Sequence, residues 1–277
     1  MSGDARRYNP PVKLKVVTSR DNAQFKRMKA LASSSQARRK EGLSILDGAH
    51  LVEACIAARG APQLLAVSES GIKRPEIARL AAAAPGEVLQ FPDAMFEALS
   101  TVLHGAGIVA AVPTPRRDLP LTIGGDCLLI DHLQDPGNLG SILRSAAAAG
   151  VAQVFCSPGT VYAWSPKVLR AGQGAHFGLT IVEGVELEMV IARLTVPLLA
   201  TTSHHASLLW DLDLGRPQAW LFGNEGAGVA PGLLQHATHR VGILMPGGGE
   251  SLNVAAAAAI CMFESVRQRA SRSKGAA

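Results

Sequence analysis

Aromatic residues are scarce in this sequence: Phe, Trp and Tyr together make up 4% of its 277 residues. A chain with so few aromatic side chains has little surface on which exposed nucleic-acid bases can stack. If nucleic acid is the partner, recognition of its backbone and shape fits this composition better.

Cysteine is also rare, and its four positions lie far apart with no C-x-x-C pair. Neither a zinc site nor a disulfide framework has ligands at the required spacing. We therefore expect no metal, and reduced, mostly buried thiols in a cytoplasmic protein. The longest apolar run, residues 254–263, is too short to cross a bilayer, and the first residues are polar and basic, unlike a signal peptide. We expect no membrane segment.

Positive charge is concentrated at one end of the chain. Residues 1–40 hold 11 of the 27 Lys and Arg but two of the 22 Asp and Glu, a local balance of +9, while the remaining residues carry −4. A polyanion is the natural partner, because each neutralised phosphate releases condensed counterions. The alternative is a solvated helix face. The candidate RNA contacts are Lys26, Arg27, Arg38, Arg39 and Lys40.

Residues 1–113 contain alternating short helices and strands after a polar tail. Predicted strands cover residues 44–47, 63–67, 87–91 and 108–112, and predicted helices cover 21–31, 36–40, 50–59, 75–84 and 94–100. This alternation predicts a small α/β domain. Prolines 113, 115 and 120 favour a linker over residues 114–125, because proline continues neither a helix nor a central strand.

In residues 126–277 the alternation restarts and predicts a second domain with a parallel α/β sheet. Predicted strands cover residues 127–133, 152–157, 179–182, 197–202, 219–222 and 241–245. Predicted helices cover residues 141–149, 165–171, 186–194, 231–236 and about 251–269. In such sheets, ligands bind beyond the carboxyl ends of the strands.

Three glycine-rich segments follow predicted strand ends in the second domain. They are Asp135-Pro-Gly-Asn-Leu-Gly140, Gly223-Asn-Glu-Gly-Ala-Gly228 and Pro246-Gly-Gly-Gly-Glu-Ser-Leu-Asn253. Glycine permits a close approach of backbone to a ligand, and loops at strand ends expose amides for it. Any one segment fits an ordinary turn, but three in one domain favour a shared pocket. The sequence has neither a P-loop nor a strand-linked G-x-G-x-x-G, which weakens nucleotide triphosphate and dinucleotide interpretations.

The polar residues of these segments resemble the three motifs of a known family, the SpoU (TrmH-type) RNA ribose 2′-O-methyltransferases of the SPOUT superfamily. The matching segments are Asp131-x-x-x-Asp135-Pro-x-Asn138-x-Gly140-x-x-x-Arg144, Phe222-Gly-Asn-Glu-Gly226 and Glu250-Ser-Leu-Asn-Val254, in the family's order and spacing. The resemblance extends from residue 126 to about 269. Residues 1–113 more weakly resemble the ribosomal-protein-L30e-like substrate-binding domain that often precedes it.

The resemblance implies a parallel SPOUT sheet whose C-terminal chain is threaded into a trefoil knot, an exception to the rule that chains avoid knots. It also implies S-adenosyl-L-methionine as methyl donor and a homodimer with the active site near the subunit interface. By position, the cofactor contacts fall on Gly223, Ile243, Met245, Leu252 and Asn253. One departure is Leu244, where the family usually has proline, but the surrounding motif remains and we expect activity to persist.

The family's catalytic arginine falls on Arg144, with Asn138 in the same loop-helix unit. Because a guanidinium stays protonated in proteins, a simple base role is awkward. Two roles remain open. Arg144 loses a proton only when a substrate phosphate is arranged around it, or it stays cationic and stabilises the developing alkoxide, which we favour. The alternative is a structural ion pair with Asp131 or Asp135.

Three further motif residues, Glu225, Ser251 and Asn253, complete the predicted catalytic set. We expect Asn138 to orient Arg144 or the target ribose, and Glu225 to hold loop amides or Arg144 itself. Ser251 also fits the N-cap of the last helix.

Histidines and paired aspartates are weaker candidates for chemistry. His132, His204 and His205 have no carboxylate partner in the sequence that would argue for a triad, so packing or surface roles are expected. Asp211 and Asp213 are interpreted as loop residues, because methyl transfer from a sulfonium needs no metal.

Together these observations predict an enzyme that uses S-adenosyl-L-methionine to methylate a ribose 2′-hydroxyl in structured RNA. We favour 23S ribosomal RNA over tRNA, because the additional N-terminal domain would extend the RNA footprint. The rival hypothesis is a non-catalytic RNA-binding protein with a decayed cofactor pocket, and the intact Asn138, Arg144, Glu225 and Asn253 argue against it. A different small-molecule α/β transferase would leave the basic N-terminus unexplained.

Overall fold

The computed structural model describes residues 13–101, 105–202, 207–249 and 251–275. The chain divides into two compact units, each with a sheet of its own. One unit ends at Pro115 and includes Trp164–Pro166, and the other comprises Arg116–Ala163 and Lys167–Ala277. The division therefore falls within the proline-spaced stretch of the sequence.

The first unit contains five strands and five α-helices in its described part. In chain order they are β1 (Leu14–Val16), α1 (Ala23–Ser33), α2 (Ser35–Glu41), β2 (Leu43–Asp47), α3 (Ala49–Arg59), β3 (Leu64–Ser68), α4 (Pro75–Ala83), β4 (Val88–Phe91), α5 (Asp93–Phe96) and β5 (Ile108–Pro113). The sheet order is β1-β4-β3-β5-β2, with β1, β4 and β3 parallel and β5 antiparallel to both of its neighbours. Phe25, Met28 and Leu31 of α1 are buried in the core that these strands form, because they share one face of the helix.

The second unit contains seven strands and five α-helices in its described part. They are β6 (Cys127–Ile130), α6 (Pro136–Ala148), β7 (Gln153–Cys156), α7 (Pro166–Gly172), β8 (Thr180–Glu183), α8 (Leu187–Ile191), β9 (Leu198–Thr201), β10 (Ser207–Leu208), β11 (Ala219–Phe222), α9 (Pro231–Leu234), β12 (His239–Gly242) and α10 (Val254–Gly275). The sheet order is β10-β12-β9-β11-β6-β7-β8, and every paired strand is parallel. The predicted α/β class with a parallel sheet is confirmed.

The central strands β6 and β11 are buried along their whole length. This explains why both are continuous apolar runs instead of alternating patterns, as expected for a parallel sheet covered on both faces. Because the strands are parallel, their carboxyl ends lie at one edge of the sheet. The segments that follow β6, β11 and β12 therefore begin at this edge.

Several predicted boundaries in the second unit are wrong, and three of them have a clear physical reason. Helix α6 begins at Pro136 instead of residue 141, because Asp135 caps it and proline fits its first position despite the two glycines that follow. Strand β12 ends at Gly242, so the apolar residues 243–245 lie beyond it. Helix α10 begins at Val254, after the position predicted from Ser251.

Two smaller differences concern the first unit. Strand β1 lies in the stretch predicted as a polar tail, because its three residues are all exposed and carry no burial pattern. Helix α5 is only four residues long, whereas the sequence predicted residues 94–100. Within the described residues, no helix is long and apolar enough to cross a membrane, and no group of His, Cys, Asp and Glu is arranged to hold a metal ion.

All four cysteines are buried and free. Burial raises the pKa of the Cys127 thiol to about 12, with the Asp126 carboxylate adding to the effect, and burial raises the pKa of Cys261 to about 12. Burial also raises the pKa of Cys55 and Cys156. At neutral pH these groups are therefore thiols, not the thiolates that react.

We predict that the native protein reacts very slowly with Ellman's reagent at pH 8, since both access and thiolate are lacking. In denaturant, four thiols per chain should react rapidly, which serves as the internal control. Rapid reaction of one thiol in the native protein would contradict the burial of that cysteine.

Candidate active site

A buried carboxylate fixes the turn that follows β6. Asp131 accepts a hydrogen bond from the backbone N–H of Ala230 at 2.9 Å, and its Oδ1 lies 2.6 Å from Nδ1 of His132. His132 has a φ of 51°, which few non-glycine residues adopt. The expectation that the histidines lack a carboxylate partner is wrong for His132, because the partner is the residue directly before it. His204 and His205 lie outside the described residues.

The first glycine-rich segment is the start of a helix, not a loop. Asp135 caps α6 by accepting a hydrogen bond from the N–H of Asn138 at 2.7 Å. Gly140 lies against α7, where a Cβ atom would be 2.3 Å from that of Ala171. This glycine therefore permits close packing of two helices, and the prediction that it brings backbone to a ligand is wrong.

Glu225 joins the second motif segment to the first. Its carboxylate accepts hydrogen bonds from the backbone N–H groups of Gln134 (3.1 Å) and Asp135 (2.9 Å), and from the side-chain amide of Asn138 (3.1 Å). The sequence left open whether Glu225 holds loop amides or Arg144. The three bonds from other residues come from the turn before α6 and from its first helical turn.

Asn253 joins the third motif segment to the same group. Its Nδ2 donates to Oδ1 of Asn138 at 2.9 Å, and its Oδ1 accepts from the N–H groups of Ala255 and Ala256. Asn253 is thus the residue that caps α10, and the prediction that Ser251 does so is wrong. We call the three linked residues Asn138, Glu225 and Asn253 the motif triad. Glu250 of the third motif lies outside the described residues.

The charge of Glu225 is stabilised by its hydrogen bonds. Partial burial opposes ionisation, but the backbone N–H groups of Asp135 and Glu225 itself, the Asn138 amide and the Gln134 N–H outweigh it and lower the pKa of Glu225. A carboxyl group with a lowered pKa contributes stability above its unfolded pKa and loses that contribution as the pH falls through the folded one. The motif triad is therefore intact at neutral pH and weakens only in acid.

Arg144 lies on α6 with an exposed side chain. Among the described residues it forms no ion pair, and both aspartates proposed as structural partners are engaged elsewhere: Asp131 with His132 and Ala230, and Asp135 with Asn138. The structural ion pair considered from the sequence is therefore not formed. The guanidinium is accessible to a polyanionic substrate.

Beyond β12 the chain lines an open cavity of about 490 Å³. Four residues singled out from the sequence line it together, namely Ile243, Met245, Ser251 and Leu252. Neither Ile243 nor Leu252 is a core residue, because Leu252 is exposed and Ile243 is only partly buried. The remaining lining residues are Trp210, Leu244, Pro246, Gly247, Gly249 and Ile260.

Gly223 is not among the residues that line this cavity. A Cβ atom at this position would lie 2.1 Å from the carbonyl carbon of Gly228 and 2.2 Å from the nitrogen of Val229. The glycine is therefore required by the tight turn after β11, in which Asn224 and Gly228 exchange two backbone hydrogen bonds of 2.9 Å.

The predicted RNA contacts of the first unit do not form a single exposed group. Arg38 is 7% exposed and donates to the carbonyls of Leu31 and Ala32 at the end of α1, so its prediction as an RNA contact is wrong. A guanidinium there satisfies helix-end carbonyls. Arg27 pairs with Glu41 and Lys26 with Asp21, whereas Arg39 and Lys40 are exposed.

Several site residues could not be identified from the sequence. Gln134 supplies a backbone N–H to Glu225, which only the folded turn reveals. Trp210 lines the cavity from a 3₁₀-helix far from the glycine-rich segment in sequence. The adjacent Asp131 and His132 were visible as a pair, but adjacent side chains meet only in an unusual backbone conformation, here the positive φ of His132.

Comparison with known proteins identifies the family to which this chain belongs. Residues 127–263 match the SpoU rRNA Methylase family. An uncharacterised tRNA/rRNA methyltransferase from Synechocystis is 32% identical over 91% of this chain and 94% of its own length. The 23S rRNA (guanosine(2553)-2′-O)-methyltransferase RlmP of Bacillus subtilis is 30% identical over 90% of this chain and 98% of its own length. The chain belongs to the SpoU rRNA methylase family.

This family membership confirms the resemblance inferred from the three motifs, and it identifies the protein as an RNA 2′-O-methyltransferase. The SpoU methyltransferase AviRb of Streptomyces viridochromogenes, solved in complex with AdoMet, superimposes with a TM-score of 0.81 at 26% identity, covering 90% of this chain and 99% of that one. S-adenosyl-L-methionine is thus the cofactor, as predicted.

The residues present fit this cofactor. A cavity of about 490 Å³ lies within the range of roughly 300–1,000 Å³ typical of small-molecule sites. Its described lining is mostly apolar, which suits an adenosine group. Ile243, Met245 and Leu252 would hold the cofactor there.

Proposed function

We propose that this methyltransferase modifies a ribose 2′-hydroxyl of 23S ribosomal RNA. The observation that carries the proposal is the motif triad, which ties the turn before α6, the turn after β11 and the start of α10 together. Asn253 directly follows Ser251 and Leu252, which line the cavity, so the triad lies next to the cofactor site along the chain. The Bacillus subtilis relative, named as a 23S rRNA 2′-O-methyltransferase, supports rRNA as the substrate.

The bound cofactor supplies a methyl group that is already activated for displacement, so the protein must align the 2′-oxygen and manage its proton. We assign the second task to Arg144. It stays cationic and stabilises the negative charge that develops on the ribose oxygen, while the proton leaves to solvent or a substrate phosphate. The motif triad holds α6, and with it Arg144, in a fixed position relative to α10.

Four finer features belong to the same proposal. The interleaved strand order β10-β12-β9-β11 supports the trefoil knot in the C-terminal chain. The mixed α/β first unit supports an L30e-like substrate-binding domain. Exposed Leu244, Leu252 and Phe263 support a homodimer, since burial of large apolar side chains favours association. Free, buried thiols suit the cytoplasm, where we place the enzyme.

Mapping of 2′-O-methyl groups in 23S rRNA, from cells with and without the protein, tests the substrate. We expect one ribose to lose its methyl group when the protein is absent and to regain it when the wild-type gene is restored. In vitro, labelled methyl groups should transfer to 23S rRNA lacking the modification and not to tRNA. Labelling of tRNA alone would replace the proposed substrate with the alternative.

We predict that charge reversal at Arg39 and Lys40 weakens RNA binding and flattens its dependence on salt. Each lost phosphate contact lowers the slope of log K against log salt by about 0.7–0.9. Charge reversal of the buried Arg38 should instead lower the melting temperature, because it removes bonds to Leu31 and Ala32. An unchanged slope for the double variant would assign Arg39 and Lys40 to an ordinary solvated helix face.

A further inference from the structure

Trp210 is an exposed aromatic residue that neither the family motifs nor the proposed mechanism uses. It lies in the 3₁₀-helix Leu209–Asp211, directly after β10, and its residue is 47% exposed. The preceding Leu209 is fully buried, so this short helix places one apolar side chain in the core and the next one outside it. Within the described residues, Trp210 forms no hydrogen bond and no ring contact.

The exposed indole lies at the cofactor cavity and not at a random surface position. It lines the cavity together with Ile243, Leu244 and Met245 from the segment after β12, and with Leu252 and Ile260 from the third motif and α10. Aliphatic side chains from these segments therefore share the cavity with one flat aromatic surface. The other two tryptophans, Trp164 and Trp220, are buried.

The residues that line the cavity suit the adenine ring of the cofactor better than its methionine part. None of the described lining residues has a charged side chain, so none of them pairs with the methionine carboxylate or amine. Adenine is a neutral, flat ring system, and stacking on an aromatic side chain stabilises such rings. The positively charged sulfonium would also be attracted to an indole by a cation–π interaction. During methyl transfer, however, the sulfonium must lie next to the 2′-oxygen of the target ribose.

We propose that Trp210 is a cofactor-binding residue whose indole stacks on the adenine ring of S-adenosyl-L-methionine. This inference rests on the proposed position of the cofactor site in the cavity beyond β12. It adds a contact from outside the three motifs and makes the affinity for the cofactor depend on an aromatic residue at this position.

Calorimetric titration with S-adenosylhomocysteine, the uncharged-sulfur product, tests the proposal on the full-length chain. Trp210→Ala should weaken binding about 10- to 100-fold, as expected for loss of one stacked base. Trp210→Phe should recover most of the affinity, and Trp210→Leu, which keeps apolar volume but no π face, should not. Met189→Ala removes another half-exposed apolar side chain of the same unit and should bind like the wild type.

Tryptophan fluorescence gives a second readout, since Trp210 is the exposed member of the three. S-adenosylhomocysteine should change the wild-type emission and leave that of Trp210→Phe nearly unchanged. Equal binding by wild type and Trp210→Ala would overturn the proposal while the cofactor site remained. Absence of binding by the wild type itself would overturn the proposed site, and the role of Trp210 with it.

Comparison of the two forms of the cofactor separates adenine from sulfonium. Stacking on adenine predicts that Trp210→Ala weakens S-adenosyl-L-methionine and S-adenosylhomocysteine by the same factor. A loss confined to the cationic S-adenosyl-L-methionine would instead place the sulfonium over the indole and overturn adenine stacking.

Discussion

Arg144→Ala should reduce methyl transfer by about 100- to 1,000-fold, the usual effect of removing one preorganised group that stabilises a developing oxyanion. Cofactor affinity and melting temperature should stay near wild-type values, because Arg144 is exposed and has no ion pair among the described residues. Single-turnover transfer to unmodified 23S rRNA measures the chemical step, and calorimetry with S-adenosylhomocysteine measures the cofactor site.

Arg216→Ala is the matched control, since it also removes one exposed arginine from the second unit. Its transfer rate should remain close to wild type. The pH dependence of Arg144→Lys separates the two roles left open for the arginine. A lysine that stabilises charge restores part of the rate with an unchanged profile, whereas a proton acceptor would shift the profile by its lower pKa. A fully active Arg144→Ala would remove Arg144 from the mechanism.

The sequence predicted the structure best where the local residue pattern matches the position of the segment in the fold. Strand β11 was predicted to the residue, because the apolar run Ala219–Phe222 is bounded by Pro217 and Gly223 and lies in the middle of the sheet. The motif residues were identified through their resemblance to the three motifs of the SpoU family. Asn138, Glu225 and Asn253 are brought together by strand ends at one sheet edge, as parallel topology requires.

The incorrect predictions concern apolar or charged residues, because such residues occur in more than one structural environment. Residues 243–245 were predicted to continue a strand, but they line a cavity, and hydropathy does not distinguish the two. Arg38 belongs to a basic run and is nevertheless buried, because only the fold brings the end of α1 to its guanidinium. The position of Trp210 at the cavity could not be predicted, since a single tryptophan in a loop belongs to no periodic pattern.

Gly223→Ala should lower the free energy of unfolding by about 3 kcal/mol, at the upper end of the usual cost of overpacking. The three atoms nearest to the added methyl group would all be backbone atoms, the carbonyl carbon and oxygen of Gly228 and the nitrogen of Val229, at 2.1–2.3 Å. Backbone atoms cannot rotate away as a side chain does. Relief therefore requires the paired hydrogen bonds between Asn224 and Gly228 to open.

Opening that turn should also impair catalysis, because Glu225 lies inside it. Displacement of Glu225 would remove acceptors from Gln134, Asp135 and Asn138 and release the start of α6. We therefore expect Gly223→Ala to lose both stability, measured by denaturant unfolding, and at least about 10-fold in transfer rate.

Gly226→Ala provides the control from the same turn, since its added Cβ would meet nothing closer than 3.6 Å, the Oδ1 atom of Asn224. It should remain close to wild type in both measurements. Loss of activity in Gly223→Ala without loss of stability would point to a direct backbone contact with the cofactor, as the family resemblance implies, because a steric clash within the turn cannot spare the fold. Retention of both the stability and the transfer rate would show that the turn accommodates the methyl group and that Glu225 keeps its function.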